Sequence, residues 1–327
     1  MISINILNIW YHACKNNSIS GSPTVPMVET KDSAISHDND FESQVTFNSE
    51  SQSLNEVHGL SNAEMNDPNS IHVTISDPKA PLVILFGPPA CGKTMTLVRM
   101  TRFLQSEGYT VAPIRTFRPT SDTNYVEICE RFDETMNRDD AAASTDRISF
   151  MLVEVIKNGR RLCQILEAPG EYYFNPKKPA AGFPNYVNTI IASSNRKVWT
   201  IMIEPNWMDH VDRMNYVTKI ARLKQSMRSK DSTIFVFNKI DLTGFVRSVG
   251  EINKSAAINE IKNLYPNIFI PFKNQNPITR FVREYNCELV PFQTGYYTTA
   301  LNGITYQEGP REYCVKLWRT IMNKITG

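Results

Sequence analysis

Histidine is scarce in this chain and cysteine is never paired at short spacing; each absence excludes a class of chemistry. Of five histidines, only His72 and His210 fall in the part that reads as folded, so a zinc cluster or a histidine-based triad has no residues to draw on. The six cysteines (Cys14, Cys91, Cys129, Cys163, Cys287 and Cys314) form no C-x-x-C pair. That scatter suits a reducing cytoplasm better than a disulfide scaffold. No apolar run is long enough to span a bilayer as a helix. The opening stretch, with Ile2, Ile4, Ile6, Leu7, Ile9 and Trp10, has no cation ahead of it and no continuous apolar core, which makes it a poor signal peptide. There is no clear membrane signal and no clear nucleic-acid signal.

Charge of one sign is also lacking overall, since the formal net charge is only +2. The balance hides a strong asymmetry. Residues 16–70 hold nine acidic side chains and a single basic one, Lys31, and are rich in Ser and Asn and nearly free of aromatics. Such a segment cannot bury enough apolar surface to offset its chain entropy. The expectation is a disordered acidic tail over 1–70, followed by a folded domain over 71–327.

What is present is a complete phosphate-binding loop. Gly87-Pro88-Pro89-Ala90-Cys91-Gly92-Lys93-Thr94 has the form G-x-x-x-x-G-K-[ST]. The strand-like run Leu82 to Phe86 feeds it, and a helical pattern with Leu97, Met100 and Leu104 on one face comes after it. Both neighbours matter, because the strand fixes the loop and the first amides of the helix point at phosphate. In this reading the amides from Cys91 to Met95 form an anion nest. Lys93 reaches the β- and γ-phosphates, and Thr94 offers its hydroxyl to Mg²⁺.

Downstream, strands and helices alternate, which predicts an α/β fold in three layers: a mostly parallel sheet with helices on both faces. Two apolar runs, Ile148 to Ile156 and Arg160 to Leu166, meet at Asn158-Gly159 and predict one antiparallel hairpin. Further strands are expected over Val198 to Glu204, Thr233 to Phe237 and Leu289 to Phe292. Helices are expected near Tyr186 to Ala192, His210 to Met227, Ser255 to Leu264, Ile278 to Tyr285 and Arg311 to Ile325.

Directly after the Thr233 to Phe237 strand stands Asn238-Lys239-Ile240-Asp241. This resembles the N-K-x-D base-recognition motif of P-loop GTPases of the translation-factor and Ras-like class. The resemblance implies that Asp241 accepts hydrogen bonds from N1–H and the 2-amino group of guanine. It also implies that the Lys239 stem lies along the base and that Asn238 ties this loop to the phosphate loop. Two further elements fall in the family's order. Glu167-Ala168-Pro169-Gly170 resembles the D-x-x-G motif, whose glycine amide senses the γ-phosphate; here Glu167 replaces the aspartate and is one methylene longer. Glu171 occupies the position at which active family members orient the attacking water. The stretch containing Gln293, Thr294 and Gly295 resembles the last guanine-contacting loop. The switch threonine that the resemblance calls for, a second Mg²⁺ ligand, is assigned to Thr145, 22 residues before Glu167. Ser144 is a neighbouring alternative, and Thr116, Thr120 and Thr123 are less well placed. The spacing from Thr94 leaves an insertion over about 109–144, in which Arg115 or Arg118 could act as an internal arginine finger.

The resemblance implies a guanine-nucleotide-binding protein with GTP/GDP and Mg²⁺ as cofactors, acting as a slow GTP-hydrolysing switch. An unknown protein effector, or a nucleotide-dependent dimer, would complete it. Two other readings stay open: an ATP-driven machine of the AAA type, and a nucleotide-binding scaffold that hydrolyses little. Lastly, the basic run Lys219, Arg222, Lys224, Arg228 and Lys230 reads as a solvated helix end, or as a surface for an acidic partner.

Overall fold

Five consecutive buried residues, Leu82–Phe86, form the central strand β1. A run without polar alternation is what a strand covered on both faces requires. The computed structural model describes residues 60–136, 150–206, 209–300 and 303–327. All of them belong to one unit of mutual contacts, Ser53–Gly327.

In chain order, α1 (Asn62–Asn66) precedes β1, and α2 (Lys93–Ser106) comes after the phosphate loop. Then come β2 (Thr110–Pro113), α3 (Thr123–Glu130) and α4 (Phe132–Met136). The hairpin strands are β3 (Met151–Lys157) and β4 (Arg160–Glu167), then α5 (Gly170–Tyr173), α6 (Asn185–Ala192), β5 (Lys197–Ile203), α7 (His210–Ser226) and β6 (Ser232–Phe237). A small ribbon of β7 (Val246–Ser248) and β8 (Glu251–Ile252) leads into α8 (Lys254–Leu264), α9 (Pro277–Val282) and β9 (Glu288–Pro291). The chain ends with a second ribbon, β10 (Gly295–Ala300) and β11 (Gly303–Glu308), and helix α10 (Arg311–Thr326).

The seven-stranded sheet has the order β2-β3-β4-β1-β5-β6-β9. Only β3 runs against the others. At the β3–β4 turn, Asn158 (φ 51°) and Gly159 (φ 73°) are both left-handed, as a two-residue turn matched to strand twist demands. Because β1, β4, β5, β6 and β9 are parallel, their C-terminal ends share one edge of the sheet. The loops after them are brought together there.

Two expectations need correction. Residues 60–70, assigned to the acidic tail, are folded: Ser61 caps α1 in a capping box, and Leu60 and Ile71 are buried. Buried Arg118 pairs with Glu64, which ties the stretch before Ile71 to the folded body. Within the insertion, the strand expected near Tyr109 to Phe117 is β2, which adds an edge to the sheet, and the described part of the polar stretch after it forms α3 and α4.

The basic run is a solvated end only in part: Arg222 and Lys230 are exposed, whereas Lys219 is buried. Lys219 donates to the Ala181 carbonyl at 2.7 Å and sits over the Phe183 ring. Arg228 donates to Ser193 and Asn195 carbonyls, and Lys230 to that of Ser194. Lys197 joins them at Ser193 (2.7 Å). These are the carbonyls just beyond the C-terminus of α6, where backbone partial negative charge collects. Among the described residues, no helix is long and apolar enough to cross a membrane.

Candidate functional site

The phosphate loop is shaped by its glycines. Gly92 stands before α2 with φ 88°, and a Cβ there would collide with the Asn238 amide nitrogen. A Cβ on Gly87 would collide with the Cys91 sulfur. Gly92 contributes no side-chain cap to α2, so the first helical amides remain for an anion. Lys93 is 5% exposed and donates from Nζ to the Pro88 carbonyl at 3.0 Å. The ammonium is thus held across the mouth of its own loop.

Thr94 donates from Oγ1 to Glu167 Oε1 at 3.0 Å. Glu167 is buried at the end of β4, and its second oxygen, Oε2, meets no hydrogen-bond partner among the described residues. Burial pushes the carboxyl up to about 8, against the pull of Lys93 and the Thr94 hydrogen bond, and Glu171 adds to the rise. Gly170 packs so closely on the Pro88–Pro89 peptide that a Cβ would overlap it. Beyond it, Tyr173 packs near Phe86 (centroids 4.9 Å) and Phe174 near Tyr216 (5.5 Å). Glu171, next to Gly170 in the first turn of α5, is half-buried.

Asn238 joins this cradle to the base loop, donating from Nδ2 to the Cys91 carbonyl at 3.0 Å. Lys239 takes a left-handed conformation (φ 54°) and pairs with Glu204, a buried carboxylate at the end of β5. Burial raises Glu204, and Lys239 opposes that rise. Tyr265 donates to the Glu204 carbonyl at 2.8 Å and holds the strand end. Asp241 is exposed at the start of a short 3₁₀ turn, yet the walls around it desolvate the carboxylate enough to raise its pKa. The Ile240 amide donates to the Phe292 carbonyl at 3.2 Å, which draws in the loop after β9.

In that loop Gln293 and Thr294 are buried, and Gln293 Nε2 has no partner among the described residues. Sequence reasoning missed the β10–β11 ribbon, into which the chain turns here instead of passing straight to the last helix. Gly295 opens the ribbon, where a Cβ would overlap Tyr306. Tyr306 donates to the Thr294 carbonyl at 2.9 Å and packs on Met95, the residue after the phosphate-loop threonine. Arg99 and Arg102 of α2 pair with Glu308, and Arg99 also reaches the Gly309 carbonyl. The dipeptide Asn302-Gly303 was the available signal.

Thr145 and Ser144 lie outside the described residues. Of the other threonines, Thr116 bonds to Ser76 and Thr123 opens α3. Both arginines have acidic partners. Arg118 is bound by Glu64, Asp122 and the His72 carbonyl, and Arg115 faces Glu130 at 3.6 Å. Glu204, absent from the sequence-derived set, is the polar residue that the structure adds. Its only sequence signal is a charge at the end of an apolar strand.

No protein-family model and no curated protein sequence matches the chain. Among solved structures, a nucleolar GTP-binding protein 1 of Plasmodium falciparum aligns at 15% identity and TM-score 0.37, covering 77% of this chain and 90% of that one. The GTP-bound GTPase-like domain of S. cerevisiae Ski7 aligns at 14% and 0.39, covering 76% and 51%. A GDP-bound Methanosarcina barkeri Roco2 fragment aligns at 11% and 0.32, covering 78% and 52%. At such scores the fold is read from the chain's own strand order and loops. They give a P-loop NTPase fold, with the phosphate loop after β1 and the N-K-x-D loop after β6 at one edge of the sheet.

Proposed function

We propose that the protein binds GTP and GDP with Mg²⁺ and hydrolyses GTP slowly, as a molecular switch. The observation that carries this is the Asn238–Cys91 hydrogen bond, which sets the base loop and the phosphate cradle on one frame. Adenine lacks the 2-amino group and presents an acceptor at N1, leaving the Asp241 carboxylate unpaired against it. Titrating the purified chain with GDP and with ADP tests the reading. GDP should bind at least about a hundredfold more tightly, and equal affinities would refute the guanine assignment.

The donors present fit a magnesium ion that keeps most of its water and its nucleotide ligands. Thr94 and Glu167 would hold it, and the partnerless Oε2 of Glu167 is an acceptor waiting for a cation or its water. Among the described residues no group of three or more His, Cys, Asp or Glu could bind a metal alone. When bound, the ion neutralises phosphate charge. The AAA-type alternative needs an acidic pair after the second strand motif, and Leu166 and Ala168 flank Glu167 instead.

Slow turnover follows from Glu171. A second carboxylate placed about 5 Å from the reacting phosphate would cost on the order of 1–3 kcal/mol at an effective dielectric of 20–60, or about one to two decades in rate. Glu171→Gln should therefore leave single-turnover hydrolysis equal or faster. A several-hundredfold drop with unchanged GTP affinity would make Glu171 an essential base. The division behind this proposal is a nucleotide-binding body over about 60–327, with an acidic segment before it. An effector or a dimer contact would speed the step. The five described cysteines are free, in keeping with a cytoplasmic setting.

A further inference from the structure

The loop between α8 and β9 is built inside out. An antiparallel bridge between Lys273 and Tyr285 closes its neck. The Asn274 amide donates to the Glu284 carbonyl at 2.8 Å, and the Asn286 amide to that of Phe272 at 2.7 Å. Its interior holds a polar side chain, Asn274, only 8% exposed. The Asn274 side-chain nitrogen donates to Thr279 Oγ1 at 2.8 Å and to the Arg283 carbonyl at 3.2 Å, and its oxygen accepts from the Asn276 amide at 3.1 Å. Asn276 then caps α9, accepting from the Ile278 and Thr279 amides.

The apolar residues that would ordinarily fill such a loop point outward. Ile278 is 80% exposed, Phe281 96% and Val282 90%, and Ile270 at the neck is 59% exposed. Single exposed apolar side chains are common, but three on one rigidly braced tip mark a contact surface. Cations surround the tip. Arg283 pairs with Glu288, whereas Lys273 and Arg280 form no ion pair among the described residues. Glu284 is the only carboxylate between Asn274 and Glu284.

We propose that this loop docks the protein on an anionic lipid surface. Ile278, Phe281 and Val282 enter the interface, and Lys273 and Arg280 face the headgroup phosphates. The form of the tip favours lipid over a protein partner. Ile278, Phe281 and Val282 are each exposed by 80% or more and lie at i, i+3 and i+4 of α9, so they protrude from one face of it. A fluid interface wraps each prong without a matching socket, and the flanking charge is complementary to acidic lipid. The loop enters β9 at its N-terminal end, so it sits at the opposite end of the sheet from the phosphate loop. Docking would leave the nucleotide edge free.

Co-sedimentation of the full chain with vesicles tests this, comparing phosphatidylcholine alone with phosphatidylcholine containing phosphatidylserine. Binding should require phosphatidylserine and weaken as salt is added. Phe281→Ser combined with Val282→Ser should lower partitioning by at least about tenfold, and Arg280→Glu by several-fold. Circular dichroism and melting midpoint should stay unchanged, because none of these side chains is packed. Failure to bind acidic vesicles would overturn the proposal. So would binding that survives the double substitution, which would point elsewhere in the chain. Self-association in gel filtration that the double substitution abolishes would assign the tip to a second copy instead.

Discussion

Replacing Lys93 with alanine should lower affinity for GTP and GDP by about two to three orders of magnitude while the chain stays folded. Hydrogen bonds to charged groups contribute roughly 1.5–3 kcal/mol each, and Lys93 is placed to serve two phosphates. Losing them together corresponds to about 3–4 kcal/mol, hence the expected factor. The fold should tolerate the change because, among the described residues, the ammonium reaches one acceptor, the Pro88 carbonyl. Lys93 also pulls the Glu167 carboxyl downward against its burial. Without that charge the Glu167 carboxyl rises further. Fluorescent-nucleotide titration together with a thermal melt checks both halves. Parental affinity in the variant would remove the phosphate-loop assignment.

Asp241→Asn should exchange guanine for xanthine. Xanthine keeps N1–H but carries an oxygen at position 2, to which the asparagine amide donates; toward guanine the same amide presents a donor to a donor. GTP affinity should fall by about two decades or more, and xanthosine triphosphate should bind more tightly than GTP. Competition between the two nucleotides measures the exchange directly. Unchanged preference would mean that Asp241 does not touch the base. The substitution should be nearly neutral for stability, since Asp241 is exposed and its carboxylate is already disfavoured by desolvation.

The parts of this fold that can be read from the sequence are those whose signals are local. The phosphate loop, the Asn158-Gly159 turn and the apolar runs of β1, β5 and β6 each depend on neighbouring residues. Their bounds therefore agree with the structure within a few positions. Residues 60–70 defeat the reading because composition is averaged over a window, whereas Leu60, Glu64 and Ile71 are held by partners far along the chain. The basic run fails for a related reason. A charge pattern shows that Arg228 and Lys230 are cationic, but not that a helix end brings carbonyls to them. The spacing predicts a helix near Ile278 to Tyr285 and leaves its facing open. A buried Asn274 turns the face of α9 outward, which apolar spacing cannot foresee. At the site, Glu204 escapes notice because its meaning depends on Lys239, 35 residues later.

The additional strand β2 has a consequence for how other proteins can approach. Without it β3, the one antiparallel member, would be the rim of the sheet, with a row of unpaired backbone groups beside the hairpin. Instead β2 pairs with β3 from Thr110↔Ile156 to Pro113↔Val153 and becomes the rim itself. The opposite rim is β9, paired on one side with β6. Both rims are four residues long and finish on a proline, Pro113 and Pro291. A short rim ending in a residue without an amide hydrogen is a poor template for another chain. This sheet should therefore resist edge-to-edge aggregation, and a partner that recognises its target by lending a strand will find no purchase. Recognition has to fall on loops and helices.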